Sequence, residues 1–84
     1  MDYIEELARL GKIIHDRAVE PEGIERFSRL DDDQIKELLK DVNDFYQSGE
    51  LSNWRTYYFA RLCLQYIINK RKEQRNNERN LGKG

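Results

Sequence analysis

The sequence predicts an all-α fold: a compact three-helix bundle with a long C-terminal helix and a frayed basic tail. Three observations predict it. Apolar residues recur at helical three-four spacing in three separate segments. Capping residues, a proline and a glycine stand where those segments begin and end. No stretch shows the two-residue alternation of a half-buried strand. Eighty-four residues make one domain, and a chain of this size has a thin core, burying only about 60–65% of the surface its unfolded form exposes.

The first helix is expected over about 3–19. Asp2 with Glu5 fits an N-cap and its capping-box partner. Tyr3, Leu7, Leu10, Ile14 and Ala18 form an apolar stripe. Pro21 disfavours the α conformation at Glu20, so the helix should stop near Val19. Gly11 inside this helix costs about 1 kcal/mol relative to Ala, and close packing against a neighbouring helix is its simplest explanation. The connector EPEGIERFSR follows, with Ile24 and Phe27 as its anchors on the core.

The second helix, 32–48, has the clearest start. In LDDDQI, Asp31 is placed to cap, Gln34 to reach back, and Leu30 to staple onto Ile35. Asp32 and Asp33 fall in the first turn, where the helix dipole favours negative charge. Ile35, Leu38, Leu39, Val42, Phe45 and Tyr46 give its apolar face, and Gly49 supplies a left-handed stop after Ser48. The third helix, 52–73, is expected to start at an N-cap Ser52. Trp54, Tyr57, Tyr58, Phe59, Leu62, Cys63, Leu64, Tyr66, Ile67 and Ile68 cover most of its circumference, leaving Arg61, Gln65, Asn69 and Lys72 as a polar strip. A helix apolar nearly all round must be buried on several sides. Two neighbours in so small a domain cover about half of it, so the surplus aromatics should face the connector, another copy or a different protein. The domain is thus expected over 1–72, with a polar extension over 73–84.

Composition narrows the function. No window has the ~18 apolar residues of a membrane helix, and the acidic start MDYIEELARLG lacks the basic-then-apolar order of a signal peptide. A single cysteine closes no internal disulfide, which fits a reducing, cytoplasmic setting. The net charge of −1 hides a polarity: residues 1–50 hold fourteen acids against seven Lys/Arg, and residues 51–84 hold eight Lys/Arg against two acids. Such asymmetry marks either an interaction tail or a solvated helix end.

Chemistry is scarce. Cys63 sits among large apolar neighbours and reads as a core residue. His15 lies at the edge of the first helix's stripe, and consecutive helical side chains point about 100° apart, so it is not expected to face Asp16. The acids of the second helix alternate with Lys36 and Lys40 and come from one segment, whereas hard cations need oxygen ligands converging from several. No catalytic, cofactor or metal residue is therefore assigned, and no enzyme is expected. Nucleic acid is the harder exclusion, because NKRKEQRNNERN is basic and tyrosines stack on bases. Yet the aromatics alternate with Leu and Ile at core spacing, and a recognition helix must expose polar side chains to base edges.

The order of a first helix, a VEPEG turn, LDDDQIKELLKDVNDFY and a long helix ending INKRKEQR resembles the helical domain of GINS subunits over about 4–72. GINS subunits bridge replicative helicase and polymerase, and they usually carry a small β-rich domain for which these residues have no room. ELSNWRTYYFARLCLQYIINKR is similar in style to the aromatic-then-basic helix of the bacterial theta subunit, one of the small helical subunits of replicative DNA polymerases, with which the binding proteins of archaeal B-family polymerases also belong. Either resemblance implies a non-catalytic accessory or adaptor subunit whose partner is a polymerase or replisome component. Trp54, Tyr57, Tyr58 and Tyr66 are the expected partner contacts, since Trp and Tyr bury much area and keep a polar handle. Lys70, Arg71, Lys72 and Arg75 are expected to meet an acidic surface or phosphates. The rival readings are a homodimer packing the third helix on its twin, and a small nucleic-acid-binding protein using the tail.

Overall fold

The computed structural model describes residues 2–83, with side chains described for 3–75. Four helices appear among the described residues: α1 (Asp2–Arg17), α2 (Glu25–Ser28), α3 (Asp32–Gln47) and α4 (Trp54–Lys83). The fold is all-α, and no described residue is in a strand.

α4 is the spine. α1 and α3 both pack along it, and they touch one another little. The core joins Ile4, Leu7 and Leu10 of α1 to Ile35 and Val42 of α3 across Ala60, Cys63, Leu64 and Ile67 of α4. Ile24 and Phe27 close one end of it, as their apolar character in the connector predicts. The connector also contains α2, a single turn too short to show any periodicity in sequence.

Gly11 fixes how closely α1 approaches α4. A Cβ at this position would overlap the backbone carbonyl oxygen of Phe59 and lie 2.7 Å from its carbonyl carbon. The helices therefore cross backbone to backbone, and the residue's cost in helix propensity is offset by that approach.

Three boundaries differ from the sequence reading by two residues or more, and the start of α1 and the end of α3 by one. α1 ends at Arg17, not Val19, because Ala18 turns into the left-handed region (φ 54°) while its N–H donates to Ile14 O at 3.0 Å. That is a left-handed C-cap made without glycine. α4 begins at Trp54 with Asn53, not Ser52, as the cap: the Arg55 N–H donates to Asn53 Oδ1 at 2.9 Å. At its other end α4 continues to Lys83, so the backbone of the expected extension prolongs this helix. The side chains of 76–84 lie outside the described residues, as does that of Asp2.

The α3 start follows the sequence reading. The Gln34 N–H donates to Asp31 Oδ1 (2.8 Å) and the Asp31 N–H donates to Gln34 Oε1 (3.0 Å), a complete capping box. Gly49 (φ 86°) ends α3, its N–H donating to Tyr46 O at 3.3 Å.

Candidate functional site

The four aromatic residues expected at a partner surface divide into two kinds. Trp54 and Tyr58 are 60% and 47% exposed, an unusual position for large side chains on a core-forming helix. Tyr57 and Tyr66 are half-buried. Tyr57 is committed internally: its ring stacks on Tyr46 with centroids 4.1 Å apart, and its hydroxyl donates to Asn43 Oδ1 at 2.7 Å. Arg61 Nη1 donates to the same hydroxyl at 3.1 Å. Tyr57 thus ties α4 to α3, and the outward pair is Trp54 and Tyr58.

Beside that pair lies an open groove of about 420 Å³. Its apolar wall is Tyr58, Leu62 and Tyr66 of α4, with Ile14 of α1 opposite. The polar strip read from the sequence supplies the rest, as Arg61, Gln65 and Asn69. Gln65 and Asn69 satisfy one another across one turn, Nε2 donating to Oδ1 at 3.2 Å. Arg61 is the only charged residue lining the groove among the described residues.

The basic residues further along α4 are largely engaged by the protein itself. Lys70 Nζ donates to Glu20 Oε2 at 2.8 Å. Arg71 reaches the junction of α2 and α3, donating to Asp32 Oδ1 (2.7 Å), to Ser28 O (2.9 Å) and to Leu30 O. Arg75 donates to Asp32 Oδ2 at 2.6 Å. Asp32, expected to serve mainly the helix dipole, is instead gripped by two guanidiniums, with hydrogen bonding from Arg75 and then Arg71 holding its carboxyl below the usual range. Lys72 is exposed and pairs with no carboxylate among the described side chains.

No protein family, curated protein or solved structure matches this chain.

Cys63 is fully buried, and desolvation pushes its thiol up to about 12, which keeps it protonated and unreactive at neutral pH. His15 departs from expectation. Its Nδ1 lies 3.0 Å from Asp16 Oδ1, and its ring meets Phe59 edge-on at 5.6 Å. Divergence at Cβ does not prevent the ends of neighbouring side chains from meeting once the ring leans across α4. The His15 hydrogen bond also lowers the Asp16 carboxyl. His15 and Cys63 are not brought together as a base and nucleophile, the one being exposed and the other buried. No group of three potential metal ligands converges among the described residues, and none of the described helices is long and apolar enough to cross a membrane.

Sequence reasoning missed Ile14 as a groove wall and Arg61 as its charged member. The four-residue repeat from Trp54 to Tyr66 carried the signal for the apolar side. Nothing local identified which helix would stand opposite.

Proposed function

We propose that this chain is a non-catalytic accessory or adaptor subunit, cytoplasmic, that docks through α4 on a larger protein of nucleic-acid metabolism. The observation that carries the docking reading is the exposure of Trp54 and Tyr58, one turn apart on α4, with Tyr58 forming part of the apolar groove's wall. Proteins that act alone rarely leave large contiguous apolar patches in water, and Trp and Tyr are the residues whose burial most often dominates an interface. α1 and α3 pack on other faces of α4, and the edge contacts of Tyr58 with His15 and Phe59 leave about half of its ring in water, as most of Trp54 is.

The replication setting is supported by the resemblance to GINS helical domains and to small polymerase subunits. A protein partner is favoured over nucleic acid because Lys70, Arg71 and Arg75 already hold Glu20 and Asp32. Phosphates would have to displace those carboxylates. A single cysteine, with no second to pair with inside the chain, fits a reducing compartment.

The test is capture from native cell extract on the immobilised chain, compared with a Trp54→Ala/Tyr58→Ala variant, with bound proteins identified by mass spectrometry. The expected result is a polymerase or replisome component retained by the unmodified chain and lost by the variant. Identical retention by both, or no such component with either, overturns the proposal.

A further inference from the structure

Trp54, Tyr58, Leu62 and Tyr66 repeat every fourth residue, forming one ridge about 18 Å long on α4. Ridges of this spacing pack into the grooves of another helix, and the open hollow that Tyr58, Leu62 and Tyr66 form with Ile14 can seat such a visitor. Shape alone leaves the visitor's chemistry undecided. Charge decides it.

Among the described side chains Arg61 is the groove's only charged lining residue, and no carboxylate pairs with it. Its one hydrogen bond is to the neutral Tyr57 hydroxyl. Arg55, over the Trp54 ring at 5.7 Å, is likewise without a carboxylate. The contrast with Lys70, Arg71 and Arg75 is direct, since those bases have acids of their own. From 51 to 75 the only acid is Glu73, beyond the groove. Resting on the docking reading above, we propose that the groove receives an amphipathic helix of the partner protein whose apolar face covers the ridge and whose flank carries carboxylates, one of them taken by Arg61.

A second copy of the chain fits this face poorly. A two-fold interface places the same patch on both sides, so two sets of Arg55 and Arg61 would enter one seam to which the groove stretch of α4 brings no acid. Like charges brought together at an interface are strongly disfavoured.

Two synthetic helical peptides of about 18 residues, roughly 27 Å of helix, test the inference. Both lack Trp and share one leucine face; one is flanked by Glu and the other by Lys. Trp54 is the sole tryptophan, so its emission reports binding to the full chain directly. The Glu-flanked peptide should bind at least about tenfold more tightly than the Lys-flanked one. Arg61→Glu should invert that order and Arg61→Gln should abolish it, both with unchanged helical circular dichroism because Arg61 is exposed. Equal affinities, an order indifferent to Arg61→Glu, or no response of Trp54 to either peptide overturns the inference. So does sedimentation showing a dimer that Tyr58→Ala converts to monomer. If the peptides show no charge preference while capture from extract still depends on Trp54 and Tyr58, only the acidic-helix inference falls. If that capture is also indifferent, the docking reading falls with it.

Discussion

A methyl group at position 11 would collide with backbone, which cannot rotate away as a side chain can. Gly11→Ala should therefore destabilise the protein by about 1–3 kcal/mol despite the better helix propensity of alanine. Urea unfolding checks this, and each kcal/mol should lower Tm by roughly 4–8 °C. Ala18 offers the opposite case. Its left-handed φ of 54° is one that glycine adopts without penalty, and Ala18→Gly should stabilise by about 0.5–1 kcal/mol in the same measurement. The two residues differ in how far the sequence revealed them. Gly11 was legible as a helical glycine in need of a close neighbour. The conformation of Ala18 was not, because alanine carries no signature of a left-handed cap and Pro21 three residues on placed the stop only approximately. Ser52 and Asn53 posed a similar ambiguity, since both are good caps and the choice depends on how α4 is seated.

At the scale of elements, the helices hold together by two kinds of contact. The apolar faces of α1 and α3 follow their three-four spacing and were readable in advance. The clamp of Arg71 and Arg75 on Asp32 was not, because it joins residues about forty apart and sequence gives charges without their pairings. Arg71→Ala should cost about 1–2 kcal/mol, chiefly by leaving the Ser28 and Leu30 carbonyls without their donor. Arg71→Lys should not restore stability, because a single ammonium cannot reproduce the guanidinium's fork. Asp32 adds a pH dependence whose sign follows from its lowered pKa. The folded state favours the charged carboxylate, so this contribution is present above the ordinary value of 3.8 and is lost as pH falls through the lower folded value. Asp32→Asn should flatten that acid limb in denaturant titrations between pH 5 and pH 2, spans chosen on either side of the shift.

For the whole molecule, the folded chain measures 50 × 27 × 18 Å with a radius of gyration of 14.1 Å, longer than the roughly 12 Å of a rounded domain this size. α4 sets that length. The double change Trp54→Ala/Tyr58→Ala should leave unfolding free energy within about 0.5 kcal/mol, as expected for exposed positions, while removing partner capture. A large loss of stability would instead assign those rings to the protomer's own core. The charge division between the halves of the sequence also changes meaning at this scale. Part of it closes within the fold, through Glu20 and Asp32, and among the described side chains of α4 Arg55, Arg61 and Lys72 pair with no carboxylate. The sequence therefore showed that α4 had more apolar surface than its neighbours cover, but could not separate Tyr57, used inside, from Tyr58, left outside.

The helix on which all the others lean is also the one that follows them in translation. While the ribosome is still working through codons for α1 to α3, those segments have each other's company but no common support, so the shared core cannot close until most of α4 has emerged. The nascent chain must wait, and a message cut short before that point yields a product lacking Ala60, Cys63, Leu64 and Ile67, across which the two halves of the core meet.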